Sequence, residues 1–78
     1  MKIEILKKAK KFILNQPASQ QRRLLQAIFC LPVGDVKPLK GTEQFFRLRT
    51  GEYRVIFTIE EDTIIVRDAG PRGDVYKG

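Results

Sequence analysis

The apolar positions in the first part of the chain recur at the spacing of an α-helix. After a stretch from Lys2 to Ile5 that can form a short strand, Leu6, Ala9, Phe12 and Ile13 fall on one side of a helix. Lysines occupy most of the positions between them. This pattern predicts an amphipathic first helix with a solvent-exposed, basic side.

A second helix is predicted between two prolines, Pro17 and Pro32. Proline disfavours helix at the residue before it, so the first helix ends ahead of Pro17 and the second begins near Ala18 or Ser19. The apolar stripe of the second helix consists of Leu24, Ile28 and Leu31. Because the link between the helices is short, they are expected to form an antiparallel hairpin.

Beyond a predicted loop from Val33 to Gly41, the hydrophobic period changes from 3.6 to 2. Three strands joined by tight turns are predicted, and they run from Phe45 to Thr50, from Tyr53 to Glu60 and from Thr63 to Ala69. The tail after Ala69 is rich in turn residues. The order β-α-α-β-β-β predicts an α+β fold, in which a helix hairpin covers one face of a small antiparallel sheet in a single domain over residues 1–78.

The turn at Gly51-Glu52 predicts how the first two of these strands pair. Gly in the first central position suits a two-residue hairpin, which places Arg49 opposite Arg54. Opposed residues share a face, and one face therefore collects the apolar core residues. The opposite face, here called the arginine face, collects Phe45, Arg47, Arg49, Arg54, Ile56 and Thr58. An even loop around Glu61-Asp62 would add Arg67, opposite Ile56.

The pairing of Arg49 with Arg54 invites two interpretations. Like charges directly opposite on a sheet are destabilising, so folding alone does not require them. The arginines can be interpreted as a solvated face whose stems shield Phe45 and Ile56, or as a prebuilt site for an anion. We favour the anion site, since every basic residue on these strands is arginine, whose planar fork suits phosphate.

Composition narrows the choice of partner. The 78 residues carry a net charge of +6, which favours nucleic acid, an anionic membrane surface or an acidic protein. The chain has one cysteine and no histidine, so we expect no internal disulfide, no metal, no cofactor and no histidine acid–base pair. It lacks an apolar run of about 18 residues and a recognisable signal peptide, so we expect a cytoplasmic protein with no membrane partner.

Four motifs then resemble the RelE/ParE toxin superfamily in order and spacing. They are Lys37-Pro38-Leu39-Lys40-Gly41, Phe46-Arg47-Leu48-Arg49, Gly51-Glu52-Tyr53-Arg54-Val55-Ile56-Phe57, and the tail from Gly70 to Tyr76. The resemblance implies a toxin that cuts mRNA on the ribosome, held in check by a cognate antitoxin. It also implies that the toxin–antitoxin complex can bind operator DNA through the antitoxin.

The resemblance also implies which residues act. The expected catalytic residues are Arg47, Arg49, Arg54, Arg72 and Tyr76, and the expected additional RNA contacts are Lys37, Lys40 and Arg67. Arginine can stabilise a crowded phosphate but is a poor base, and Tyr76 could protonate the leaving oxygen or stack on a base. Glu43, Glu52 and Lys40 are nearby candidates for the general base, and the residues do not choose among them.

Two other functions remain open from the residues alone. The first is inhibition of DNA gyrase, the property of the ParE branch, which needs no chemistry from the toxin. The second is a catalytically silent module that binds RNA or an antitoxin. The missing base keeps both alternatives open, whereas the arginine cluster and Tyr76 favour the ribosome-dependent endoribonuclease.

Overall fold

The computed structural model describes residues 2–39 and 44–71, which form two helices and one five-stranded sheet. The elements in chain order are β1 (Lys2–Ile5), α1 (Lys7–Leu14), α2 (Ala18–Phe29), β2 (Asp35–Pro38), β3 (Phe45–Thr50), β4 (Tyr53–Glu60) and β5 (Thr63–Pro71). The strands lie in the order β1-β5-β4-β3-β2. All neighbours are antiparallel except β1 and β5, which are parallel. The predicted α+β class is confirmed, and the sheet is mixed rather than purely antiparallel.

Strand β2 corrects the prediction of a loop from Val33 to Gly41. Asp35–Pro38 pairs antiparallel with β3 at the edge of the sheet. Its four residues include only one apolar β-branched residue, Val36, and a proline at the end, so period and propensity gave no strand signal. The segment becomes a strand because β3 offers it an unpaired edge. Gly34, with a φ of 135°, leads into it through backbone geometry that favours glycine.

Strand β5 is longer than predicted and corrects the expected sharp turn at Gly70-Pro71. Both residues continue the strand, with Gly70 opposite Arg54 and Pro71 opposite Tyr53 on β4. Proline is tolerated there because β1 pairs only with Thr63 to Val66, so this end of β5 lies on an edge. The chain therefore continues straight past Ala69 along the hairpin.

The hydrophobic core lies between the two helices and one face of the sheet. The buried core residues are Ala9, Ile13, Leu24, Ile28, Leu31, Leu48, Val55, Phe57, Ile64, Val66 and Ala69. Phe57 is completely buried on the central strand and stacks on Phe46 with ring centroids 5.6 Å apart. Burying one such side chain contributes about 1.5–3 kcal/mol. The helical stripes and alternating strand positions of the sequence meet in this core.

A small polar network joins the helices to the hairpin. Tyr53 Oη donates a hydrogen bond to Gln16 Oε1 at 3.1 Å, and its ring meets Phe12 edge-on at 5.9 Å. At the end of α1, Gln16 Nε2 donates to the Phe12 carbonyl, and Gln21 Nε2 donates to the carbonyls of Leu14 and Gln16. The Leu14 carbonyl belongs to the last turn of α1, which leaves it without an intrahelical partner, and Gln21 satisfies it.

The helices are short. The longer, α2, has 12 residues, and no helix in residues 2–39 and 44–71 has the length and apolar character needed to cross a membrane.

Candidate nucleic-acid interface

The arginine face forms with the predicted register. Arg49 lies opposite Arg54, Arg47 opposite Ile56 and Phe45 opposite Thr58. Gly51 has a φ of 58° at the first central position of the turn, a conformation that glycine adopts without strain. Since the core residues of the same strands contact the helices, the arginine face is the side of the sheet opposite the helices.

Strand β2 adds one acidic and one basic residue to this face. Asp35 lies opposite Arg49, and Lys37 lies opposite Arg47. Lys37 is exposed, as expected of a residue that contacts a polyanion. Asp35 was not among the candidate site residues from the sequence, because its position becomes visible only once β2 is known to be a strand.

Arg47 is held inside the face by Asp35. Its side chain is only 9% exposed, and its Nη1 lies 3.7 Å from Asp35 Oδ1. The same nitrogen donates a long hydrogen bond of 3.4 Å to the Asp35 carbonyl. A buried cation needs such a partner because desolvation disfavours an isolated charge. Arg47 therefore contributes a fixed charge from below the surface, already partly balanced by Asp35.

The Arg49–Arg54 pair opposes two like charges on neighbouring strands. The two half-buried guanidinium groups extend from directly opposed positions. Arg49 Nε is buried, and it has no hydrogen-bond partner among the residues that the structure describes. A buried donor without a partner costs about 1–3 kcal/mol. On the other side of Arg54, Gly70 of β5 contributes no side chain. The pair therefore places two arginines side by side at one end of the arginine face, with Asp35 of β2 next to Arg49.

A β-bulge in β5 corrects the predicted partner of Arg67. The register shifts at Ile56/Phe57, so that Asp68, rather than Arg67, lies opposite Ile56. The prediction of an even loop around Glu61-Asp62 is confirmed as far as the Phe57–Val66 pair. Beyond that pair a bulge inserts an extra residue, which the alternation of side chains along a strand does not predict. Asp68 contacts Lys8 of α1, with Oδ2 and Nζ 3.1 Å apart.

Arg67 nevertheless reaches the arginine face. Its Nε donates to Thr58 Oγ1 at 2.9 Å, its Nη2 lies 3.2 Å from Glu60 Oε2, and its Cζ stands 5.9 Å from the centre of the Phe45 ring. These four residues, Phe45, Thr58, Glu60 and Arg67, are here called the Arg67 cluster. Glu60 was missed from the sequence, although its position two residues after Thr58 places it on the same face of β4.

The structure thus brings together five of the eight site residues predicted from the sequence, namely Lys37, Arg47, Arg49, Arg54 and Arg67. Lys40, Arg72 and Tyr76 lie outside the described residues. Their roles stay predictions from the sequence.

The described residues suit charge stabilisation better than proton transfer. Asp35 and Glu60 are engaged with Arg47 and Arg67, and Glu52 is exposed in the β3–β4 turn. Glu43, another candidate base, lies outside the described residues. In residues 2–39 and 44–71 there is no group of three or more His, Cys, Asp or Glu side chains able to hold a metal ion. What the face offers chemically is a set of fixed arginines for an anion with several oxygens.

Comparison with known proteins places this geometry in a family. The profile of the family described as the ParE toxin of the type II toxin–antitoxin system parDE matches residues 3–76. The putative toxin RelE1 of Methanocaldococcus jannaschii is 29% identical over 84 aligned residues, which cover 96% of this chain and 93% of that protein.

Two solved structures of toxin–antitoxin complexes have a similar fold. The archaeal RelE–RelB complex of Pyrococcus horikoshii contains a chain that is 30% identical, with a TM-score of 0.76 and coverage of 94% of this chain and 96% of that one. The RelB–RelE antitoxin–toxin complex of Methanococcus jannaschii gives 26% identity, a TM-score of 0.75 and 95% coverage of both chains. The likeness therefore extends over nearly the whole domain.

Proposed function

Because the chain belongs to the family of ParE toxins of type II toxin–antitoxin systems, we propose that it is a RelE-like toxin that cleaves mRNA on the ribosome. Cleavage would occur on the arginine face, and the result would be inhibition of translation. The site of action is the cytoplasm, where ribosomes and message are found.

The observation that carries this proposal is the Arg49–Arg54 pair. It opposes two like charges, and the buried Nε of Arg49 has no hydrogen-bond partner among the described residues. A phosphate bound between the guanidinium groups would supply acceptors and negative charge at once, which removes both costs. Opposing the two charges does not help folding, whereas it does help binding of RNA.

The chemistry assigned to these residues is stabilisation of the transition state. When the 2′-hydroxyl of RNA attacks the neighbouring phosphate, negative charge grows on the phosphoryl oxygens. Arginines stay protonated and are already in place, so they lower the barrier without reorganising. Arg47, fixed by Asp35, adds charge from behind. Arg72 and Tyr76 are proposed to complete the site, with Tyr76 next to the leaving oxygen.

The ribosome would compensate for a general base that is not assigned among the described residues. Among the described residues, the two carboxylates next to the arginines are already paired, Asp35 with Arg47 and Glu60 with Arg67. Orientation alone can contribute several kcal/mol to catalysis, about 7–11 kcal/mol in the best intramolecular systems. A message held and bent in the decoding site can therefore react with a weak base. This dependence is the reason for proposing a ribosome-bound substrate rather than free RNA.

A cognate antitoxin is the proposed protein partner. The two similar archaeal toxins were solved together with their RelB antitoxins. A chain with a net charge of +6 and a positively charged face favours an acidic partner segment. The complex would also bind operator DNA through the antitoxin and so regulate its own synthesis.

The decisive experiment is in vitro translation with the purified full-length chain, followed by mapping of new 5′ ends on the message. Cuts should appear only when ribosomes are present, and Arg49→Ala and Arg54→Ala should each reduce them about 10²- to 10³-fold. Arg22→Ala, which removes the same charge from an exposed position on α2, should cut like the parent. Message that stays intact under all conditions would contradict the proposal.

A second candidate is inhibition of DNA gyrase. The matched family is described by the ParE toxin of parDE, and no general base is assigned among the described residues. In this case the arginine face would bind protein or DNA without reacting. A supercoiling assay separates the two functions, because a gyrase inhibitor stops supercoiling at toxin concentrations that leave translated mRNA uncut.

A further inference from the structure

We propose that the Arg67 cluster is a subsite for an unpaired nucleobase of the RNA, which stacks on the Arg67 guanidinium beside the phosphate-binding arginines. This inference rests on the proposed function and adds to it the place where the toxin contacts a base. Phosphate contacts position a nucleic acid but do not read its sequence. The subsite would therefore be a source of sequence preference.

The first support is that Arg67 is held in one orientation. Thr58 accepts from its Nε, Glu60 binds its Nη2, and the Phe45 ring lies under its Cζ. The hydrogen bonds restrain the guanidinium group, while 38% of the side chain remains exposed. A flat, fixed guanidinium is a platform on which RNA bases stack. Little side-chain freedom would be lost when a base binds.

The second support is the cavity beside this platform. It has a volume of about 520 Å³ and includes Phe45, Thr58, Glu60 and Arg67 in its lining. Small-ligand sites typically measure about 300–1,000 Å³ and combine apolar walls with a few polar groups. On the arginine face Phe45 supplies the apolar wall, while Phe46 and Ile59 line the cavity from the helix side of the sheet. The composition suits a flat heterocycle with polar edges.

The third support is the β-bulge that presents Arg67. The bulge interrupts the β4–β5 ladder between Ile56 and Phe57. Bulges disrupt local pairing, and they often re-aim a side chain near a functional site. In this chain the bulge places Arg67 over Phe45, while Asp68 contacts helix α1. Because of the bulge, Asp68 rather than Arg67 lies opposite Ile56, and Arg67 is the extra residue of β5.

The spacing along β3 connects the subsite to the phosphate site. Phe45, Arg47 and Arg49 alternate on one face of the strand, so the Arg67 cluster lies about 13 Å from the Arg49–Arg54 pair. A single RNA strand bridges that distance within a few nucleotides. The base on Arg67 would therefore belong to a nucleotide close to the scissile phosphate.

The test uses short RNAs that carry the fluorescent base 2-aminopurine at one position each and 2′-deoxyribose at the cleavage site. Stacking quenches this base. With the full-length chain, quenching should be strong at one position and should disappear in Arg67→Lys, which keeps the charge but not the flat fork. Arg22→Ala is the control for loss of charge, and it should quench like the parent.

Affinity for RNA lacking the base at that position gives the second readout. The parent should bind the abasic RNA about 5- to 150-fold more weakly than the intact RNA, the range for loss of one stacked base. Arg67→Lys should bind both RNAs alike. Phe45→Leu, which removes the ring under Arg67, should behave in the same way, and circular dichroism would show that both variants are folded.

The outcomes separate this inference from the proposed function. Equal binding of intact and abasic RNA by the parent would overturn the subsite and leave the arginine face as an RNA site. Quenching that survives in Arg67→Lys would place the base elsewhere and also overturn it. Failure of the parent to bind either RNA would also overturn the subsite, whereas the proposed function would be overturned only by translated message that stays intact.

Discussion

The two faces of the β3–β4 hairpin share one backbone and differ in what their side chains require. On the helix side, Leu48 faces Val55 and Phe46 faces Phe57, pairs that gain free energy from burial. One position closer to the turn on each strand, Arg49 faces Arg54 and gains nothing from that contact. The hairpin thus separates residues that stabilise the fold from residues that are proposed to bind a ligand.

A similar contrast exists within the arginine face itself. At one end, Arg67 already has a hydroxyl, a carboxylate and an aromatic ring as partners. At the other end, the buried Arg49 Nε has no partner among the described residues. Arg67 is therefore suited to contact a neutral base, whereas Arg49 is suited to bind a phosphate. The following substitutions test these contrasts.

The largest loss of stability is expected on the helix side of the hairpin. Phe57→Ala should lower the free energy of unfolding by about 3–5 kcal/mol, because it leaves a cavity in the centre of the core. Phe29→Ala is the matched control, since Phe29 is 61% exposed and should change stability by less than about 0.5 kcal/mol. Urea denaturation measures both. Similar losses for the two variants would show that the core is placed wrongly.

Substitutions on the arginine face should change activity instead of stability. Arg49→Ala and Arg54→Ala should each reduce single-turnover cleavage of ribosome-bound mRNA about 10²- to 10³-fold, the effect of removing one preorganised charge stabiliser. Their melting temperatures should equal that of the parent or rise slightly, since the like-charge contact is relieved. A well-folded Arg54→Ala variant that remained toxic would refute the site.

Two neighbours in one motif provide the next test. Tyr53 faces the helices and Arg54 faces the opposite side of the sheet, although they are adjacent in sequence. Tyr53→Phe should cost about 0.5–1.5 kcal/mol of stability through loss of the hydrogen bond to Gln16. Cleavage by the folded variant should not change. The same substitution in a Gln16→Ala background should cost less, and equal costs in both backgrounds would count against the bond.

The smallest effect concerns salt. Binding of single-stranded RNA releases counterions, so the logarithm of the affinity should fall linearly with that of the salt concentration. Arg49→Ala should reduce the slope by about 0.7, the share of one phosphate contact to a single strand. The Arg22→Ala control should keep the parent's slope. Fluorescence titrations at several salt concentrations measure it, and a parent slope near zero would contradict a phosphate-binding face.

Much of the site was predictable because its information is local. The turn at Gly51-Glu52 sets the register of β3 and β4, and alternation then assigns each residue to a face. Arg47, Arg49 and Arg54 could therefore be grouped on one face from the sequence alone. The partner of Arg67 could not be predicted, since the bulge depends on how β5 fits against both β4 and the helices.

Strand β2 was missed for a related reason. Its residues carry almost no strand signal, and it pairs only because β3 offers a free edge. Asp35, which holds Arg47, was missed together with its strand. Glu60 lay within a correctly predicted strand, but its ion pair with Arg67 joins it to the neighbouring strand β5, where the bulge changes the register.

The sequence by itself determined the helices, the three long strands, the hairpin register and the separation of apolar from arginine positions. These depend on period, turn residues and proline, whose effects extend over a few neighbouring residues. Only the tertiary structure decided that β2 is a strand, that β1 pairs parallel with β5, and that Arg47 and Arg67 have acidic partners. Those features form between segments that are distant in sequence. There the free energy of folding depends on unpaired strand edges and on burial rather than on local propensity.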